Sequence, residues 1–173
     1  MSTPKLVPMD EHRIPDAGTA GWKCIACGSF IMSVEDGWVE WLAAETRHRT
    51  VLHGLRLVHR EANPSDSRSH SCRYDPQTEF RRDRTLVEGL PLERFVGADG
   101  LMLLLSFLAS DEMPKDEVLE LTKRVQVPGY ELTHELFDAI GVEMFTPSIM
   151  PGYYLQVEIR ALLRWSSRSG SAA

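Results

Sequence analysis

Two cysteines three positions apart give the clearest chemical signal in this chain. Cys24 and Cys27 enclose two residues, and Gly28 follows them directly. Thiolates at this spacing on a tight turn can both face one ion, while the N–H groups of the turn point at the sulfurs and stabilise their charge. A glycine after the second cysteine permits the left-handed backbone that such a turn often needs. The stretch therefore predicts a metal knuckle that binds zinc.

A structural zinc ion needs four ligands, so two more must come from elsewhere in the chain. Cys72 lies in a polar stretch that offers no core to bury it, which favours a ligand over a buried free thiol. The fourth ligand must be a histidine or a carboxylate. His59, at the end of a predicted strand, is favoured over His70, which is two residues from Cys72, and His53 is the third choice. We therefore expect a Cys3His zinc site formed by Cys24, Cys27, His59 and Cys72, with His70 as the alternative to His59.

The five residues from Cys24 to Gly28 resemble the metal knuckle of rubredoxin and of zinc-ribbon domains. This resemblance covers only those residues, so it identifies a motif and not a family. A thioredoxin-like redox pair would require the cysteines at a strand-to-helix junction in a βαβ unit. Here strand-like sequence follows the pair, so a metal site is the better interpretation.

A second motif raises the possibility of catalysis. His59-Arg60-Glu61 matches the H-x-E element of zinc nucleoside deaminases, in which a glutamate that is not a ligand moves protons. In those enzymes this element precedes the cysteine pair and a proline precedes the cysteines. Here the order is reversed, no proline precedes Cys24, and Cys72 would fill the open position. We therefore expect no catalytic residue, and a zinc-dependent hydrolase or deaminase ranks third among the possible functions.

Positive charge collects in residues 47–84, which hold nine arginines, no lysine and five acids. A solvated surface is the simplest explanation. The arginine fork also suits carboxylates and phosphates, and three arginines lie almost together, at Arg81, Arg82 and Arg84. The segment therefore supplies the alternative function, binding of RNA or single-stranded nucleic acid, in which the bases would stack on Trp38, Trp41 and Tyr74.

Residue patterns predict strands before residue 95. An antiparallel pair is expected from residues 37–42 and 51–59, since both runs alternate in residue type. In the second run one face would carry Val51, His53, Leu55, Leu57 and His59. Residues 60–85 are expected to form a long loop, which would need an anchor such as a metal.

Helical patterns follow residue 95. Asp99 is expected to cap a first helix that is apolar nearly all round and therefore central to the core. A second helix is expected to start at Pro114 and a third to end at Gly141. An extended piece is expected at 142–145, and a last helix at 154–165. The third helix has three acids and no base, so a packed bundle is favoured over a helix-turn-helix that reads DNA.

Together these patterns predict an α+β fold. A small zinc-stabilised antiparallel β unit would pack on a C-terminal unit of three to four helices. The expected organisation is a flexible arm at 1–20, the zinc-knuckle β unit with its Arg-rich loop at 21–95, the helical unit at 96–165 and a flexible tail at 166–173.

Composition narrows the class of protein. The 173 residues are 43% hydrophobic and 25% charged, with a net charge of −6 from 19 bases and 25 acids. This excludes a wholly disordered or collagen-like chain. No apolar run approaches the length of a membrane span, and no secretory signal is visible, so a cytoplasmic protein is expected. The favoured function is a small zinc-containing regulatory or adaptor protein that binds another macromolecule, most simply a protein.

Overall fold

The computed structural model describes residues 21–47, 49–61, 71–140 and 150–169. Within these ranges the chain forms five strands and five helices, an α+β fold as the sequence predicted. The strands are β1 (Trp22–Lys23), β2 (Phe30–Ile31), β3 (Gly37–Glu45), β4 (Thr50–His59) and β5 (Leu86–Pro91). The helices are α1 (Pro76–Asp83), α2 (Gly97–Ser110), α3 (Lys115–Gln126), α4 (Tyr130–Ile140) and α5 (Gln156–Ser169).

A small hairpin carries the cysteine knuckle. Strands β1 and β2 pair antiparallel, with Trp22 opposite Ile31, and the knuckle forms the turn between them. The backbone N–H of Ile25 donates to the carbonyl of Leu57 at 3.0 Å. This hydrogen bond ties the knuckle to the larger sheet, beside the end of β4.

The larger sheet has three antiparallel strands in the order β4-β3-β5. The expected pairing of β3 with β4 is confirmed, from Gly37 opposite His59 to Glu45 opposite Thr50. Strand β5 was not expected. It pairs with β3 from Leu86 opposite Ala43 to Pro91 opposite Trp38, and it forms one edge of the sheet.

A bulge in β4 separates two histidines that the sequence had placed on one face. Gly54 has φ +68°, and the register of the β3–β4 pair shifts beside it. His53 therefore lies opposite Leu42, whereas His59 lies opposite Gly37. Positions 37 and 42 of β3 point to opposite faces, and paired residues share a face. The expectation that His53 shares the face of His59 is wrong.

One hydrophobic core joins the sheet to the helices α2 and α3. The Trp41 ring meets the Phe107 ring edge-on, with centroids 5.5 Å apart. Trp41 is only 6% exposed, so it belongs to the core and offers no platform for a base. The other members come from both units and include Val39, Leu57, Phe95, Leu104, Val118 and Leu121.

Helix α2 differs from its expectation in two ways. It begins at Gly97 with Val96 as its N-cap, so Asp99 lies in the first turn and is not the cap. It is also not central to the core: Leu104 is fully buried, but other apolar side chains face solvent, namely Leu101 (38% exposed), Met102 (65%) and Leu105 (45%).

The remaining helices lie close to their expected places. Helix α3 begins one residue after Pro114, and α5 runs from Gln156 past residue 165 to Ser169. A second cluster forms between α4 and α5 from Phe137, Ile159 and Leu162. Gly141 and the expected extended piece at 142–145 lie outside the described residues. None of the described helices has the length and apolarity needed to cross a membrane.

The expected loop at 60–85 contains a helix, so that expectation is wrong for part of its length. Helix α1 follows Asp75, whose carboxylate accepts hydrogen bonds from the Gln77 N–H at 3.0 Å and the Thr78 hydroxyl at 2.6 Å. An N-cap followed by proline at the first helical position explains why the helix starts there. Residues 62–70, including His70, lie outside the described ranges.

Candidate metal centre

The knuckle has the backbone geometry that two neighbouring ligands require. The Gly28 N–H donates to the Cys24 carbonyl at 2.8 Å, and the Cys24 N–H donates to the Ser29 carbonyl at 2.9 Å. Gly28 has φ +77°, in the left-handed region that a side chain would strain. The glycine after the second cysteine thus has the role that its position indicated.

Three separate chain segments bring four potential ligands together. Cys24 and Cys27 come from the knuckle, His59 from the end of β4, and Cys72 from the segment before α1. Their ligand atoms all lie within 4.8 Å of one another, in a group that could hold a metal ion. The sequence separation of these residues means that the fold, and not local chain geometry, assembles the group.

The distances within this Cys3His cluster, Cys24, Cys27, His59 and Cys72, fit a tetrahedral ion. His59 Nδ1 lies 3.5 Å from Cys27 Sγ and 3.7 Å from Cys72 Sγ. An ion with bonds of about 2.3 Å to sulfur and about 2.0 Å to nitrogen separates such atoms by about 3.5 Å. Both distances from the imidazole nitrogen to sulfur are therefore close to those of a tetrahedral zinc site.

A backbone carbonyl orients the histidine ring. His59 Nε2 lies 3.3 Å from the carbonyl oxygen of Phe30, in strand β2. A carbonyl only accepts, so the Nε2–H group donates this hydrogen bond and Nδ1 faces the sulfurs. Ligating histidines are commonly fixed in this way by a partner behind the ring. The ring is thus oriented with Nδ1 toward the sulfurs and Nε2 toward the Phe30 carbonyl.

Burial and thiol chemistry both favour a cation at the cluster. Cys24 is fully buried and Cys72 is 5% exposed. Burial, followed by the charge of Cys24, raises the pKa of the Cys72 thiol to about 12. Burial acts to raise the pKa of Cys27 as well, but hydrogen bonds with Ser29 and Cys24 hold it below its ordinary value. Burial therefore disfavours ionisation of Cys72 on its own, and a bound cation would let all three sulfurs ionise together.

The other candidate residues lie elsewhere or cannot be placed. His53 is outside the cluster and on the opposite face of β4. His70, the alternative fourth ligand, falls outside the described residues. Glu61, the acid of the H-x-E element, is exposed two residues beyond His59.

A buried carboxylate that the sequence did not single out holds the Cys72 segment in place. Glu40 is fully buried, and its Oε1 accepts from Arg56 Nε at 2.9 Å and from the Tyr74 N–H at 2.8 Å. Arg56 also donates to the Cys72 carbonyl at 3.2 Å, and its guanidinium stacks 3.3 Å from the Tyr74 ring centroid. Nothing in the alternating strand pattern marks Glu40 as buried.

Five arginines of the segment 47–84 differ in what they contact. Arg56 and Arg73 both interact with a buried carboxylate. Arg56 binds Glu40, and Arg73 lies 3.7 Å from the same carboxylate and 4.3 Å from the Trp38 ring centroid. Arg82 is paired with Glu79 inside α1. The exposed side chains of Arg81 and Arg84 make no ion pair within the described residues.

Comparison with known proteins returns no relative for this chain. No family model, no curated protein and no solved structure matches it.

Proposed function

We propose that this chain is a small zinc-containing regulatory or adaptor protein that acts by binding another protein. The observation that carries the proposal is the Cys3His cluster, which supplies four ligand atoms within 4.8 Å. Four protein ligands close a tetrahedral zinc ion and leave no position for water or substrate. Cys24, Cys27, His59 and Cys72 would hold the ion, and its role would be to fix three chain segments.

Zinc is the metal that this donor set favours. Three sulfurs and one imidazole in a tetrahedral arrangement suit zinc, whereas hard ions such as magnesium and calcium prefer oxygen. Thiolate-rich ligation also donates charge to zinc and weakens it as a Lewis acid. An ion held in this way would stabilise the fold and would activate water poorly.

The surface also supports a binding role. Two grooves of about 560 and 500 Å³ are open troughs along β5, and neither is lined by a residue of the cluster. Exposed apolar side chains surround the knuckle itself: Ile25 is 60% exposed, Phe30 43% and Met32 68%. Apolar groups in such positions are typical of surfaces that contact other proteins.

Metal analysis tests this proposal. The full chain should contain about one zinc ion per molecule. After cobalt substitution, its absorption spectrum should show four-coordinate, three-sulfur ligation that azide and cyanate leave unchanged. Glu61→Gln, which removes the acid of the H-x-E element, should leave zinc content and spectrum unchanged. A cobalt spectrum that shifts with small anions would show an open position, and the hydrolase or deaminase alternative would replace the adaptor proposal.

A further inference from the structure

An open groove between a strand and a helix is a second surface of chemical interest. It lies between β5 and α1, has a volume of about 560 Å³, and is lined by Pro76, Gln77, Phe80, Leu86, Val87 and Glu88. Phe80 is 43% exposed and Leu86 51%, so its walls are apolar but face solvent. This groove is on a different part of the surface from the metal cluster.

The strand wall of the groove has an unpaired edge. Strand β5 pairs with β3 on one side only. In an antiparallel pair, alternate residues direct their N–H and C=O groups away from the partner strand. Within the described residues, no backbone hydrogen bond satisfies these groups on the outer side of β5. An exposed row of backbone donors and acceptors is a template for one more strand.

Positive charge lies on the helix side of the groove. Arg81 and Arg84 are exposed, and the Arg84 guanidinium lies 4.9 Å from the Phe80 ring centroid, at the side of the groove. The one acid among the lining residues, Glu88, accepts a hydrogen bond from the Trp41 indole N–H at 3.0 Å. Arg82 forms an ion pair with Glu79, on the side of α1 away from Phe80. Arg84 therefore borders the groove and Arg81 directly follows Phe80 in α1, and neither guanidinium makes an ion pair within the described residues.

We infer that this groove binds an extended, acidic peptide segment of a partner protein, which adds to β5 as a fourth strand. Backbone hydrogen bonds to the β5 edge would provide affinity for any extended chain, and side-chain contacts would provide selectivity. An apolar side chain of the peptide would pack against Phe80 and Leu86. Carboxylates on neighbouring positions would pair with Arg81 and Arg84, whose planar fork suits them. This inference rests on the proposed function and names the chemistry of its partner.

A peptide selection on the zinc-loaded full chain tests the inference. A displayed library of random ten-residue peptides should yield sequences that alternate apolar residues and carry Asp or Glu. Synthetic versions should lose at least about tenfold in affinity when alternate peptide amides are N-methylated, whereas methylation of the intervening amides should have little effect. This pattern arises only if the peptide pairs as a strand. An equal effect at every amide, or none, would overturn the inference.

Variants of the protein locate the site. Phe80→Ala and the double variant Arg81→Glu/Arg84→Glu should each weaken binding about tenfold or more. The matched control is Arg49→Glu/Arg60→Glu, which reverses two exposed charges outside the groove and should leave binding intact. Zinc content and circular dichroism would show that each variant is folded. Peptides that bind all variants equally would place the site elsewhere and contradict the inference.

Two further outcomes separate this inference from its alternatives. An oligouridine probe that binds at low salt, and loses binding in Arg81→Glu/Arg84→Glu, would replace the peptide by single-stranded nucleic acid. A library that yields no peptide would overturn the groove inference but not the closed zinc site. The adaptor proposal would fail through a folded chain that contains no zinc or through an anion-sensitive cobalt spectrum, so the two failures are distinguishable.

Discussion

Lys23 and Glu131 are 108 positions apart, yet the Lys23 backbone N–H donates to the Glu131 carboxylate at 2.5 Å. Arg124 completes this link: it pairs with Glu131 at 2.5 Å and donates to the Lys23 carbonyl. The strand that leads into the metal knuckle is therefore attached directly to α3 and α4. One buried ion pair therefore links the first strand of the knuckle hairpin to the helices.

Loss of the Glu131 charge should destabilise the fold strongly. Arg124 and Glu131 have side chains only 10% and 6% exposed, so Glu131→Gln would leave a buried guanidinium without its counter-charge. Breaking such a pair costs about 3–5 kcal/mol. Urea unfolding measures the change. Asp111→Asn is the control, because Asp111 pairs with Lys115 at the surface, where the two side chains are 71% and 62% exposed, and it should change the free energy of unfolding far less.

Replacement of single histidines should identify the fourth ligand. His59→Ala should lose nearly all bound zinc, since His59 Nδ1 faces both Cys27 and Cys72. His53→Ala should keep its zinc, because that side chain lies across the sheet from the cluster. His70→Ala is also expected to keep it. Elemental analysis of the three purified variants decides the matter, and the opposite result for His59 and His70 would assign the ligand to His70.

Zinc binding should release protons and strengthen as pH rises. The pKa of Cys72 in the metal-free site is raised to about 12, so this thiol is protonated at pH 7. It must lose its proton to bind zinc, and proton release makes affinity increase with pH. Calorimetric titration of zinc in two buffers with different ionisation enthalpies measures the released protons. Identical heats in both buffers would contradict the prediction.

Local spacing was sufficient to predict the cysteine knuckle, and the strand end at His59 was sufficient to favour that histidine. The face of β4 on which His53 lies could not be predicted from local spacing. A one-residue bulge at Gly54 places the residues that precede it in β4 on the opposite face from the one that alternation predicts. Alternation in the sequence does not show where a bulge lies. A glycine inside a strand was the available signal, since glycine there often marks a bulge.

The elements that the sequence did not reveal are short or atypical. Strands β1 and β2 have two residues each, too few for any period. Strand β5 contains Gly89 and Pro91, which reduce its resemblance to a strand. Helix α1 was obscured by its arginines, although Asp75-Pro76 is a sound helix start. Buried acids such as Glu40 and Glu131 cannot be told from surface acids until their arginine partners are known.

Glu40 should support the metal site from a distance. Its carboxylate accepts hydrogen bonds from Arg56 and from the Tyr74 N–H, and Arg56 also donates to the Cys72 carbonyl. Glu40→Gln would remove the charge that fixes this segment, so Cys72 would no longer be positioned in advance. Outer partners of metal ligands are typically worth 10–100-fold in affinity, and we expect a loss of about tenfold.

Competition with a chromophoric chelator would measure this loss. Glu45→Gln, at the exposed end of β3, is the matched control and should leave zinc affinity unchanged. Glu40→Gln should also lower the free energy of unfolding by about 3 kcal/mol, since two arginines lose their shared counter-charge. The two readouts separate the roles of the residue. A variant that is destabilised but binds zinc with unchanged affinity would show that Glu40 supports the sheet alone, because positioning of Cys72 must appear in the affinity.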